Sequence, residues 1–200
     1  MKKIIISTLA VIVLSSIVLG QSSRMGTASS TQLQVVPSAR YLVGGGAAAN
    51  AVGLDAAFWN PAGLARSENS IDAIFSNRQY IADIENNFFG VSTDLGGVGR
   101  VALTARTFNI GDIDETTVYD PDGTGQVFTP NFSIIGASAS KNLSDNTSVG
   151  INANLIRESF GRVAASGLAF DLGVQYRGLF LEDLDVGFVL KNFGQPVKYE

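Results

Sequence analysis

The chain has 200 residues, a formal net charge of −4, and neither cysteine nor histidine. That excludes disulfides, a thiol nucleophile, a histidine base and Cys or His metal ligation. The acidic balance argues against binding nucleic acid by phosphate neutralisation. The chain is therefore read as non-enzymatic, with no catalytic residues, no metal and no cofactor.

Met1-Lys2-Lys3 is a short basic start, and residues 4–19 are apolar apart from Ser7, Thr8, Ser15 and Ser16. Small or modest residues, Val18-Leu19-Gly20, follow. Charged start, apolar run and small-residue end make residues 1–20 a secretory signal peptide, cleaved near Gly20-Gln21. The apolar run of about 16 residues falls short of the about 20 of a spanning helix. No cysteine follows, so a lipoprotein anchor is excluded.

Residues 21–66 read as a flexible start and a small N-terminal plug. Residues 21–34 are Ser/Thr-rich, and residues 39–57 are dense in Ala and Gly, which suits a short helix and close packing. Gly44-Gly45-Gly46 is not a phosphate loop, because no Gly-Lys-Ser/Thr follows. Trp59-Asn60-Pro61-Ala62-Gly63 then forms the candidate plug motif. Pro61 fixes its own backbone and restrains Asn60, and Gly63 is expected to take the positive φ of a sharp turn. Trp59, the only Trp, supplies an anchoring surface.

Residues 67–200 read as the strand region, and from Ser70 onward the period is two. Leu168, Phe170, Leu172, Val174 and Tyr176 oppose Gly167, Ala169, Asp171, Gly173 and Gln175. The same alternation runs through residues 89–95, 100–107, 149–155 and 186–191. With the less regular 70–81 and 128–141, this predicts about seven strands. Segments 97–108, 129–141, 147–158 and 165–177 reach the about 9–11 residues of a tilted membrane strand, beyond the about 5–6 of globular strands. The second face is small and polar, and carries the lumen-facing candidates Arg100, Arg106, Asn152, Asn154 and Asp171. Tyr80, Phe88, Phe108, Phe128, Phe160, Tyr176, Phe180 and Phe193 lie towards strand ends, as in interfacial girdles.

The connections 95–98 and 142–146 are tight, 109–127 is long and polar, 159–164 and 178–184 are intermediate, and 195–200 reads as a loop-like tail. Within the long connection, Asp120-Pro121-Asp122-Gly123-Thr124-Gly125 begins like a calcium loop. Its twelfth position is Asn131 rather than the bidentate Glu, so a solvated loop is the preferred reading.

Phe58-Trp59-Asn60-Pro61-Ala62-Gly63-Leu64-Ala65, after an Ala/Gly-rich stretch and a signal peptide, resembles the FadL-like outer-membrane barrels, and among them the PorV/PorQ family. Ser148-Val149-Gly150-Ile151 and Ala169-Phe170-Asp171-Leu172-Gly173-Val174-Gln175-Tyr176 fit the same family. The resemblance covers residues 40–195. It implies an all-β fold: an antiparallel transmembrane β-barrel of 14 strands with an N-terminal plug, of which residues 67–200 supply the N-terminal half. The expected location is the cell outer membrane. The expected role is a PorV-like component of type IX-like protein secretion and surface attachment. Its expected partners are outer-membrane lipid, and exported cargo proteins or secretion-machinery subunits. The alternatives are a FadL-like transporter of fatty acids or other hydrophobic small molecules, and a soluble periplasmic β-sandwich or surface adhesin.

Overall fold

In the computed structural model, which describes residues 31–41, 45–80, 84–161, 163–180, 184–194 and 198–199, the alternating segments become one antiparallel sheet. The expected signal peptide, residues 1–20, lies outside the described residues. The strands are β1 (Ile71–Gln79), β2 (Glu85–Asp94), β3 (Arg100–Asn109), β4 (Ile113–Asp114), β5 (Val127–Phe128), β6 (Asn131–Asn142), β7 (Thr147–Phe160), β8 (Val163–Tyr176), β9 (Val186–Gly194) and β10 (Lys198–Tyr199). The large sheet runs β1-β2-β3-β6-β7-β8, with β9 and β10 both on the far edge of β8, while β4 and β5 form a ribbon of their own. Among the described residues, no helix is long and apolar enough to cross a membrane.

Seven long strands occur where the alternation placed them, and the fold is all-β and antiparallel. Three local expectations need correction. The 159–164 connection is a tight turn: Phe160 pairs with Val163, and Gly161 takes a φ of 60°, so the ladder runs almost to the tip. Residues 198 and 199 of the expected loop-like tail form β10, paired with Ser166 and Ala165. Phe88 and Phe108 do not belong to a girdle, because both point to the covered face and are buried.

Two connections show why their sequences turn. After β2, Asp94 Oδ1 accepts from the Gly96 amide at 2.9 Å, and Gly96 and Gly99 take positive φ. Between β8 and β9 the register shifts opposite Asp171, where Asn192 sits at φ 58° and its amide donates to Asp171 Oδ1 at 2.7 Å. This bulge keeps Lys191 on the covered face.

The two faces of the sheet differ in character. The covered face carries Ser92, Ser138, Asn152 and Asp171 in one cross-strand row, and residues 31–41 and 45–66 pack on it. On the open face, three successive rows are apolar but for one Thr. These are Phe75-Phe89-Ala105-Ile135-Leu155-Leu168, Ala73-Val91-Leu103-Ala137-Ala153-Phe170 and Ile71-Thr93-Val101-Ala139-Ile151-Leu172. The next row along, Asn77-Asn87-Thr107-Ser133-Arg157-Ser166, is wholly polar. Exposed apolar side chains are ordinary singly, but not as a continuous field over six strands.

Two apolar clusters sit between sheet and covering segment. Ala51, Leu54, Ala56, Ala57, Leu64 and Ala102 form one, and Leu33, Phe108, Ile134, Ile156 and Ala169 the other. Leu33 belongs to a short 3-10 helix, Thr31–Gln34, at the end of the stretch expected to be flexible; Leu33 is buried, and Gln32 Nε2 donates to Glu158 Oε1.

Candidate functional site: the seat of the Asn-Pro turn

The covering segment is held by the motif that the sequence singled out. Helix α1 (Ala56–Trp59) is one turn long and ends at Asn60, whose φ of −156° and ψ of 104° are the extended values imposed before proline. A 3-10 helix, Pro61–Arg66, follows at once, with Pro at its first position and Asn60 Oδ1 accepting from the Ala62 amide at 3.2 Å. The motif is thus a helix-to-helix corner. Asp55, at the start of α1, takes Ser38 Oγ and the Arg40 guanidinium (3.2 Å) instead of capping the helix, and so ties residues 38–40 to the corner.

Asn60 is fully buried, and its amide nitrogen faces three carbonyl oxygens: Ala49 at 2.7 Å, Val174 at 3.2 Å and Phe188 at 3.3 Å. One belongs to the covering segment and one each to β8 and β9. Gln175 reaches inward to Ala51 O (2.9 Å) and Ala49 O (3.1 Å). Ser140 Oγ donates to Ala62 O at 2.9 Å, Asn142 bonds Ala65 O, and Arg66 Nε bonds Ser148 Oγ at 2.8 Å.

These bonds require backbone-to-backbone approach, which glycines allow. A Cβ built on Gly150 would overlap the Pro61 carbonyl, one on Gly173 would overlap the Asn60 side chain, and one on Gly187 would overlap Ala49 O. Gly150 and Gly173 are direct partners on β7 and β8, and Gly187 lies on β9 opposite Gln175. Together they form a glycine-lined socket for the turn. Gly63 works the same way from the other side: it is not among the positive-φ glycines, contrary to expectation, and a Cβ on it would strike Ala51 O. Its reason is space, not backbone conformation.

Above the socket the covered face becomes charged. Asp171 Oδ2 accepts from Asn152 Nδ2 (2.8 Å) and Asn154 Nδ2 (3.1 Å), and Ser138 Oγ donates to Asn152 Oδ1. Arg106 lies 5.1 Å over the Phe58 ring and donates to Val35 O, while Lys191 Nζ lies 3.8 Å over the same ring and donates to Phe58 O. Arg106, Asn152, Asn154 and Asp171 therefore line one small cavity of about 10 Å³ with Lys191 and Thr104, room for about one water. Arg100, the fifth candidate, lies apart. It pairs with Asp72 at 3.0 Å and bonds Ser92 and Asn69 O.

The sequence reading missed Lys191, Gln175 and the glycines of the socket. All occupy inward positions of the same alternation, which was the available signal. Trp59 packs edge-on to Phe58 (5.0 Å, 82°), and its Nε1 is buried without a hydrogen-bond partner among the described residues.

Asn60→Ala removes the amide shared by the three carbonyls together with the cap on Ala62, at a cost of about 1–3 kcal/mol. The expected result is faster tryptic cleavage at Arg40 and Arg66 of the purified full-length protein. An unchanged cleavage rate would show that Asn60 does not hold the segment.

In comparison with known proteins, no family model and no curated protein matches this sequence.

Proposed function

We propose that the chain forms part of the wall of an outer-membrane β-barrel, with residues 31–66 as the plug on its inner face. We further propose that it serves protein secretion and surface attachment as a PorV-like component. The observation that carries the reading is the inverted sheet: apolar outside, polar and occupied inside. An apolar field of this extent calls for a covering of lipid or protein, and its bounding by a wholly polar row fits the band of a membrane strand. On β8 the outward apolar positions from residue 168 to residue 176 cover about 27 Å of strand at about 3.4 Å per residue. Tilted by about 40°, they span about 21 Å, close to the about 25 Å apolar band of such barrels. The reading requires partners for the outer edges of β1 and β9, because unpaired backbone in lipid costs several kcal/mol per group.

A plug bonded through Asn60, Gln175, Ser140 and Arg66 favours a closed scaffold over an open pore. A second reading, a transporter of fatty acids or other hydrophobic compounds, is favoured by one feature. A mainly apolar groove of about 350 Å³ lies beside the plug, lined by Leu33, Ala48, Ala49, Phe58, Trp59 and Val189, with Lys191 at its side.

The location is tested by fractionating cells that express the full-length protein. Recovery in carbonate-resistant outer membranes, with heat-modifiable gel mobility, is expected; recovery in the soluble periplasm would sink the barrel. The two roles separate on two readouts. Deleting the gene should deplete surface-attached exported proteins, and a brominated fatty acid should give no saturable quenching of Trp59. Saturable quenching with an unaltered surface proteome would favour the transporter.

A further inference from the structure

On the outer face, at the end carrying the 95–99 and 143–146 turns, the apolar field is interrupted by a groove of about 310 Å³ between β3, β6 and β7. Its sides are Val98, Val101, Val149 and Ile151, and its floor is Ala139 with the backbone of Gly99. It exists because β6 places an alanine between the larger Val101 and Ile151 in the same cross-strand row. At the turn-side end stands Lys141, the next outward residue of β6 after Ala139. The Lys141 side chain is exposed and, among the described residues, makes no hydrogen bond or ion pair.

We propose that this groove holds one acyl chain of a phospholipid whose phosphate sits at Lys141. The inference rests on the membrane-wall reading. In that setting a void in a lipid-facing wall fills with alkyl chain, since its lining would otherwise lose contact atoms on one side. The lining selects a headed lipid rather than any hydrocarbon: the apolar row Val101-Ala139-Ile151 adjoins Lys141, one residue before the end of β6, where the headgroup region of a spanned bilayer would lie. An ammonium there draws anionic lipid by about 1 kcal/mol. The occupant is therefore a phospholipid of the turn-side leaflet with an anionic headgroup.

The test is native mass spectrometry of the full-length protein extracted from membranes in mild detergent, with heat-modifiable mobility measured on the same sample. About one phospholipid per chain is expected, enriched in anionic headgroups. Lys141→Gln should reduce the anionic fraction several-fold, and Ala139→Phe, which fills the floor, should abolish retention. Arg157→Gln, an outward cation in the polar row remote from the groove, should change neither. A heat-modifiable protein that retains no lipid overturns this inference and leaves the membrane wall standing. Equal retention in Ala139→Phe, or a phosphate-mass adduct without a lipid, overturns it too. Protein recovered only from the soluble fraction overturns both.

Discussion

Gly150→Val is expected to lift the Asn-Pro corner off the sheet while leaving the strands paired. The Cβ of the new residue would lie 2.3 Å from the Pro61 carbonyl carbon and 2.5 Å from the Ala62 amide nitrogen. Neither is a flexible side-chain end, so the backbone of residues 60–63 must move. Forcing groups into a packed site costs about 1–3 kcal/mol, and here the displacement also breaks bonds. Ser140 Oγ loses Ala62 O, and the Asn60 amide moves from the carbonyls of Val174 and Phe188. The β7–β8 ladder itself does not depend on the corner: Gly150 pairs with Gly173, and a β-branched residue suits a strand. The purified full-length variant should show raised or noisy single-channel conductance and faster trypsin cleavage at Arg66, with unchanged heat-modifiable mobility. Loss of the mobility shift would instead make the corner part of the folding core. Unchanged conductance and cleavage would mean that the segment is not held by this socket.

The strands were legible because a side-chain period of two survives any tertiary context that buries one face. The same rule, applied one residue further, already places Phe88 opposite Phe89 and so on the covered face. The girdle reading went astray by weighing position along the strand over parity. The corner was legible in part. Asn before Pro announces a cap and a first helical position, and both occur. What the corner docks against was not legible, since Gly150, Gly173 and Gly187 stand far apart in sequence and each alone reads as a small inward residue. Only the β7–β8–β9 register brings them under one turn. Gly63 illustrates the same limit: one letter serves a positive φ or a close approach, and here the carbonyl of Ala51 decides. Leu33 shows a smaller version, because a Ser/Thr-rich surrounding does not reveal that Phe108, Ile134 and Ile156 form a pocket for it.

Phe170→Arg should sharply reduce the assembled protein, whereas Thr107→Arg should be accepted. Both side chains point to the open face and both are exposed. On a sheet in water the two changes would be equivalent surface substitutions, each within about 0.5 kcal/mol of neutral. The register separates them. Phe170 lies in the middle of the three apolar rows, flanked by Ala153 on β7 and Phe193 on β9. Thr107 lies in the polar row between Asn87 and Ser133. In a bilayer the first arginine sits near the midplane of the apolar band, at about 2–4 kcal/mol, and the second at the interface, at about 0–1 kcal/mol. Against a total stability of about 5–15 kcal/mol, the first cost is enough to divert much of the chain from assembly. The measurement is the heat-modifiable fraction in outer membranes at equal synthesis. A depth series should grade between the extremes, with Leu155→Arg, one row from the polar boundary, falling between Phe170→Arg and Thr107→Arg. Equal levels for all three would mean that the open face meets water, and the membrane wall would fall with it.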